Sequence, residues 1–127
     1  MPPSQEDTRF NRLHSLCLAL PETTTYTLGE HTAFQVRAKT FVWHLVDHHG
    51  DDVVGINCKV PPGENAALIA AVPERYYMPS YLGPRGWVGL RFDLPKVDWR
   101  EVTDLVTVSY RLIAPKRLAA QVPPEPK

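Results

Sequence analysis

The feature that most constrains the fold is a segment, residues 33–59, in which apolar side chains recur at every second position. A period of two is typical of β-strands with one buried face, because successive side chains point to opposite sides of the strand. Two short breaks divide the segment into three runs, the first at Ala38-Lys39 and the second at residues 48–52. Three consecutive strands joined by short turns predict an antiparallel β-meander.

Helical spacing flanks the meander on both sides. Apolar residues recur at intervals of three and four in three segments, and these predict three helices: residues 5–19, residues 64–72, and a helix from 98 to beyond 110. Asp98 with Glu101 resembles a capping box, the pattern in which two side chains satisfy free N–H groups at a helix start. The third helix is therefore expected to begin directly after Asp98.

Two further segments complete the order of elements. Residues 87–92 predict a last strand, and residues 23–26 are a candidate for a short extra strand. Residues 74–86 contain three tyrosines, two prolines and two glycines, which predicts a loop. The order α-β-β-β-α-β-α predicts an α+β fold, with an antiparallel meander sheet and helices packed on one face.

The length fits a single domain. A chain of 127 residues is in the usual size range of one domain, and we expect that domain to occupy residues 1–117. The remaining residues, 118–127, are rich in proline and are expected to form a disordered tail.

The charge balance excludes a strongly basic protein. Lys and Arg total 14, Asp and Glu total 14, and the formal net charge is 0. The distribution is uneven, since residues 1–64 carry 5 basic and 8 acidic side chains whereas residues 65–127 carry 9 and 6. Bulk attraction to nucleic acid is not expected, but a local basic surface is compatible with this pattern.

The cysteines and the polar N-terminus are typical of a cytoplasmic protein. Cys17 and Cys58 have no spacing typical of metal ligands, so we expect both to be reduced and buried. The N-terminus is polar, and no apolar run approaches the length of a membrane span. The sequence thus predicts a cytoplasmic protein without a membrane partner.

Five short pieces of sequence, in this order, resemble the MmcQ/YjbR-like family. They are Leu20-Pro21-Glu22, Phe34-x-Val36-x-x-Lys39-x-Phe41, Cys58-Lys59, Tyr81 with Gly86-Trp87-Val88, and Ser109-Tyr110 with Lys116. The resemblance implies a compact α+β fold described as a double wing, with a DNA-binding role that is inferred from that fold. The chain departs from the family where Glu22 and Ala38 replace common glycines, which affects the shape of the first wing.

DNA binding is the first functional hypothesis. A wing is a β-hairpin whose basic residues position the protein on phosphates, while base edges are recognised by other contacts. The cations expected to contribute lie in the first hairpin, at the end of the meander, in the aromatic loop and near the C-terminus: Arg37, Lys39, Lys59, Arg85, Arg111, Lys116 and Arg117. The second turn carries His48, His49, Asp51 and Asp52, and its carboxylates would repel phosphate.

The alternative is a binding module for a small anion, a peptide or a protein partner. Lys39 and Lys59 lie in the same meander and could converge on an anion, with Tyr110 as a hydroxyl donor. Trp87 and Ser109 also carry the resemblance and belong to this candidate set. The competing structural interpretation places Trp87 in the core and ties the Ser109 and Tyr110 hydroxyl groups into the fold.

An enzyme is the least favoured class. The chain contains no GxSxG, P-loop, GxGxxG or HExxH motif. His44, His48 and His49 lie near Asp51 and Asp52, but a mid-strand histidine and two adjacent turn histidines do not match a zinc-ligand pattern. We therefore predict no catalytic residue, no metal site and no cofactor.

Overall fold

A computed structural model of the chain describes residues 5–46 and 53–122. Within these ranges the chain forms four α-helices, six strands and one 3₁₀ turn, the last at Gly83–Arg85. The helices are α1 (Gln5–Leu18), α2 (Glu64–Ala71), α3 (Trp99–Ile113) and α4 (Lys116–Ala119). The strands are β1 (Thr23–Leu28), β2 (His31–Val36), β3 (Lys39–Val46), β4 (Val54–Lys59), β5 (Tyr76–Tyr77) and β6 (Trp87–Arg91).

The strands form one antiparallel sheet in the order β1-β2-β3-β4-β6-β5. The predicted meander is confirmed as β2, β3 and β4, and the candidate extra strand is β1 at one edge of the sheet. Strand β5, at the other edge, was not predicted. It is only two residues long and lies inside the segment that the sequence analysis interpreted as a loop.

The helices pack on one face of the sheet, as predicted, and we call this the helix face. Strand residues such as Phe34, Val42 and Ile56 are fully buried there against α1 and α3. Complete removal of such side chains from water contributes roughly 1.5–3 kcal/mol each. The opposite face carries no α-helix among the described residues, and we call it the outer face.

Both cysteines lie in the core under the helices. Cys17 of α1 and Cys58 of β4 are free and buried, in agreement with the sequence interpretation. Burial raises the pKa of the Cys58 thiol to about 12, and it raises that of Cys17 further. Both groups are therefore protonated at neutral pH and act as small apolar side chains.

The start of α3 follows the sequence prediction in part. The Asp98 carboxylate accepts hydrogen bonds from the backbone N–H groups of Arg100 and Glu101, at 3.0 and 3.2 Å. The reciprocal half of the capping box is replaced by an ion pair, because the Glu101 carboxylate accepts a hydrogen bond of 2.8 Å from the Arg75 guanidinium group. Glu101 thus connects α3 to the segment before β5.

The β2–β3 turn is left-handed at both of its central residues. These are Arg37 (φ 52°) and Ala38 (φ 65°), so the turn lies one residue earlier than the sequence analysis placed it. Glu22, the other position where the family commonly has glycine, also has a positive φ, of 56°. The left-handed backbone is thus retained without glycine, at a conformational cost of roughly 1 kcal/mol for each such residue.

Ala38→Gly is therefore expected to raise the free energy of unfolding by about 1 kcal/mol, since glycine adopts a positive φ without steric conflict. Ala67→Gly, at an exposed position in the middle of α2, makes the same chemical change and should lower it by about 1 kcal/mol. Urea denaturation of both variants tests whether the two changes in the free energy of unfolding have opposite signs. Equal destabilisation by both changes would contradict a strained turn at Ala38.

The first residues of the proposed tail are packed against the domain. Leu118 and Val122 are buried, and the Arg111 guanidinium group donates hydrogen bonds to the backbone carbonyl groups of Ala119 and Val122. The domain therefore extends at least to Val122 because its side chain joins the core. Residues 123–127 lie outside the described residues.

Candidate nucleic-acid interface

The antiparallel register brings several strand ends to one end of the sheet. Val36 pairs with both Thr23 and Lys39, and Lys59 pairs with Trp87. The start of β1, the end of β2, the start of β3, the end of β4 and the start of β6 therefore lie together. We call this region the basic end, and its charged residues are Glu22, Arg37, Lys39, Lys59, Arg85, Lys116 and Arg117.

The C-terminal part of α3 reaches the same end. The Tyr110 hydroxyl group donates a hydrogen bond of 2.6 Å to the Pro21 carbonyl oxygen, just before β1. Helix α4 follows directly, and the charge of Arg117 acts on the Glu22 carboxylate. The eight residues singled out from the sequence (Arg37, Lys39, Lys59, Arg85, Trp87, Ser109, Tyr110 and Lys116) are thus gathered in one region of the fold.

Arg37 is held in an ion pair. Its guanidinium group donates hydrogen bonds of 2.6 and 3.2 Å to the two carboxylate oxygens of Glu22. The hydrogen bond from Arg37 lowers the pKa of the exposed Glu22 carboxyl group. This pair neutralises the Glu22 charge at the basic end, and Arg37 is already engaged within the fold.

Ser109 and Tyr110 use their polar groups inside the protein. The fully buried Ser109 hydroxyl group accepts a hydrogen bond of 2.8 Å from the Lys59 N–H group and donates one of 2.6 Å to the Phe41 carbonyl oxygen. The Tyr110 ring packs edge-on against Phe41, with centroids 5.2 Å apart. Both side chains therefore tie α3 to the sheet, as the structural interpretation of the sequence held.

Lys39 and Lys59 lie on opposite faces of the sheet, contrary to the convergence considered in the sequence analysis. A β-bulge in the β2–β3 ladder places an extra residue, Phe41, between two pairs of strand residues. Lys39 therefore shares the helix face with Val36, whereas Lys59 belongs to the outer face. Lys39, Lys59 and Tyr110 do not form a common site for a compact anion.

Trp87 is buried on the outer face, next to Lys59 in the register. It lies outside the main core cluster between the sheet and the helices. Its backbone carbonyl group accepts a hydrogen bond of 3.1 Å from the Asn65 amide group, which also binds the Gly83 carbonyl oxygen at 3.1 Å. Asn65 of α2 thereby holds the 3₁₀ turn, and with it Arg85, beside the start of β6.

Five cations of the basic end remain without an ion pair in the described part of the chain: Lys39, Lys59, Arg85, Lys116 and Arg117. Lys59 is half-buried and the other four are exposed. They belong to four separate elements, β3, β4, the 3₁₀ turn and α4. The arrangement is an extended set of positive charges on a surface, with no enclosed site between them.

The strand ends that flank the second turn of the meander lie at the other end of the sheet. Residues 48–52, with the two histidines and two aspartates of the sequence analysis, lie outside the described residues, but their flanking strands end at Val46 and begin again at Val54. The two turns of a meander alternate between sheet ends, so the first turn and the flanks of the second point in opposite directions.

His44 is a core residue of the helix face. It is 6% exposed, and its ring lies 5.0 Å from that of Phe10 and 5.8 Å from that of Phe92. Burial lowers the pKa of the imidazole to about 4, so the ring is neutral at physiological pH. Across residues 5–46 and 53–122, no group of His, Cys, Asp and Glu side chains is arranged to hold a metal ion.

The outer face contains a cavity that the sequence analysis missed. It has a volume of about 390 Å³, and the Tyr77 ring lies over Gly55 and Gly89 beside it. The Tyr77 hydroxyl group donates a hydrogen bond of 3.1 Å to the Asn57 carbonyl oxygen Oδ1. The available signal was the pair of glycines inside strand patterns, since such glycines often mark a close approach by another group.

Comparison with known proteins supports this fold. The sequence model of the family described as YjbR matches residues 18–112. The crystal structure of a Deinococcus radiodurans protein with the domain DUF419 is similar, with a TM-score of 0.69 and 20% sequence identity, over 91% of this chain and 88% of that chain. No curated protein matches the chain. Within the described residues, no helix is long and apolar enough to cross a membrane.

Proposed function

The chain belongs to the YjbR family, and from that premise we propose that it binds DNA in a non-enzymatic role, contacting the phosphate backbone with the basic end of its sheet. The observation that carries the proposal is the set of five cations from four elements that make no ion pair in the described part of the chain. Such cations replace the counterions of a polyanion, and this is the main source of sequence-independent affinity.

The spread of these cations favours an extended anion over a compact one. Lys39 and Lys59 lie on opposite faces of the sheet, and the Tyr110 hydroxyl group is bonded to Pro21. A small anion would contact only part of this set, whereas successive phosphates along a duplex can contact cations on both sides of a sheet end. This geometry is the reason for preferring DNA to the small-anion alternative.

The acidic side chains limit how DNA can approach. Glu64, Asp98, Glu101 and Asp104 line a cleft between α2 and α3 that also contains Arg100 and reaches Val60 and Pro61, the residues after Lys59. Repulsion from these carboxylates opposes the approach of a polyanion from the α2 side of the basic end. Because the net charge is 0, the expected affinity is that of a weak, sequence-independent contact, with a Kd of roughly 10⁻⁴–10⁻⁶ M.

The proposal is tested by fluorescence anisotropy of a labelled duplex at several salt concentrations from about 50 to 200 mM. The double variant Lys39→Ala/Lys59→Ala should reduce the slope of log affinity against log salt by about 1.8, since each lost phosphate contact removes about 0.9. Lys96→Ala, which removes an exposed lysine beyond the opposite strand ends, is the matched control and should leave the slope unchanged.

Three results would contradict the proposal. The first is an absence of duplex binding by the wild-type protein at about 50 mM salt, where phosphate contacts are strongest. The second is an unchanged salt slope in the double variant, and the third is an equal reduction of the slope in the Lys96→Ala control. Any of these results would show that the basic end is not a phosphate-binding surface.

A further inference from the structure

The cavity on the outer face has the size and lining of a small-molecule site. Its volume of about 390 Å³ falls within the range usual for such sites. Its walls include the apolar side chains of Trp43, Leu45 and Leu82, and no Lys, Arg, Asp or Glu lies among the described residues that line it. Among these lining residues a charged ligand would lose its hydration without gaining the opposite charge of a Lys, Arg, Asp or Glu side chain.

One polar group of the cavity is left without a partner. Asn57 is 3% exposed, and its oxygen Oδ1 accepts the Tyr77 hydroxyl hydrogen bond. Its amide nitrogen Nδ2 donates to no group within the described part of the chain, although the side chain lines the cavity. This nitrogen is not among the fully buried unpaired atoms of the described residues, so it is accessible from the cavity and can donate to an acceptor atom on a ligand.

The rim of the cavity is unusually apolar. Leu28, Met78 and Tyr81 all line it, and they are 57%, 50% and 83% exposed. Tyr81 also has a positive φ of 65°, an uncommon backbone conformation for a residue other than glycine. These three residues bring exposed apolar surface to the opening of a cavity that is already apolar inside.

From these observations we propose that the outer-face cavity binds a small uncharged molecule with a planar apolar body and one hydrogen-bond acceptor, such as a carbonyl oxygen, directed at Asn57 Nδ2. The apolar body packs against Trp43 and Tyr77, and the acceptor completes the hydrogen bonding of the Asn57 amide group. This site is separate from the basic end, so the test of ligand binding is independent of the test of DNA binding.

The test compares two probes of the same bicyclic shape. Coumarin carries a ring carbonyl group, and 2H-chromene lacks it. Titration followed by ¹H–¹⁵N NMR spectra should show coumarin binding about ten-fold more tightly, the effect of one added hydrogen bond. The shifted signals should be those of Gly55, Gly89 and the Asn57 side-chain amide. Coumarin-3-carboxylate should bind more weakly than coumarin because the described residues that line the cavity supply no lysine or arginine as a counter-charge.

Two variants assign the preference to particular side chains. Asn57→Asp keeps an oxygen for the Tyr77 hydroxyl group but removes the free N–H donor, so coumarin should bind about ten-fold more weakly, like 2H-chromene. Leu45→Trp adds volume to the wall and should weaken both probes, which provides a second result if Asn57→Asp does not fold. Lys39→Ala, at the basic end, should leave the coumarin affinity unchanged and so separates this site from the proposed DNA contact.

The proposal is overturned if neither probe binds at about 1 mM, a concentration at which even weak small-molecule sites are occupied. It is also overturned if the two probes bind wild-type protein equally, or if the shifted signals lie away from Gly55, Asn57 and Gly89. Binding that Leu45→Trp leaves unchanged would place the probes elsewhere on the protein.

Discussion

Replacing Gly89 by alanine is expected to lower the free energy of unfolding by about 2–4 kcal/mol. A Cβ atom at this position would overlap the Tyr77 ring, which lies over Gly89 and Gly55. The ring must then move, and overpacking of this kind costs about 1–3 kcal/mol. Movement of Tyr77 also breaks its hydrogen bond to Asn57, which contributes about 1 kcal/mol more. Urea denaturation of the variant and the wild-type protein measures the difference.

The same change in a Tyr77→Ala background provides the control. Without the ring, alanine at position 89 meets no obstacle from Tyr77 and should cost less than about 0.5 kcal/mol, because glycine is itself unfavourable inside a strand. The two changes should therefore be strongly non-additive. An equal cost of Gly89→Ala in both backgrounds would show that Tyr77 does not pack over Gly89 as described.

Replacing Ser109 by alanine is expected to lower the free energy of unfolding by about 2–4 kcal/mol. The hydroxyl group joins the Lys59 N–H group to the Phe41 carbonyl group, and the site is fully buried. Its removal leaves the partly buried Lys59 N–H group and the buried Phe41 carbonyl oxygen without this partner, each at a cost of roughly 1–3 kcal/mol.

Thr103→Ala is the matched control in the same helix. Its exposed hydroxyl group donates only to the Trp99 carbonyl oxygen one turn earlier, so its loss should change the free energy of unfolding by less than about 0.5 kcal/mol. Chemical denaturation of both variants gives the comparison. If Ser109→Ala lowered the free energy of unfolding as little as Thr103→Ala, the structural role of the Ser109 hydroxyl group would be contradicted. The binding role suggested by its place in the family pattern would then be favoured.

The sheet was predictable because its signals are local. Alternating apolar residues such as Phe34 and Val36 specify which strand face is buried, and a Pro-Pro-Gly break ends the meander. The cap at Asp98 was also correct, since an acidic side chain before an amphipathic segment satisfies the first free N–H groups of a helix. Each of these features depends on residues close together in sequence.

The candidate site was harder to predict because it depends on register. An unbroken alternation in β3 would have placed Lys39, Trp43 and Leu45 on one face, together with Lys59 across the sheet. The bulge turns both Phe41 and Val42 towards the core and moves Lys39 to the helix face. One extra residue therefore separates the two lysines that the sequence appeared to bring together.

The outer-face cavity was missed for a related reason. Tyr77 and Asn57 are distant in sequence and meet only because β5 and β4 both lie beside β6. Strand β5 is two residues long, too short to show an alternating pattern. The local signal was a glycine inside a strand pattern, at Gly55 and at Gly89. It could be interpreted only with the position of the Tyr77 side chain, which belongs to another strand.

The most direct test of the proposed DNA contact is an NMR titration of the ¹⁵N-labelled protein with a short duplex at about 50 mM salt, where phosphate contacts are strongest. The account predicts shifts of backbone amide signals at Lys39, Lys59 and Gly86, with the signals of Glu30 and His31 at the opposite end of the sheet unchanged. An absence of shifts, or shifts concentrated at Glu30 and His31, would contradict it.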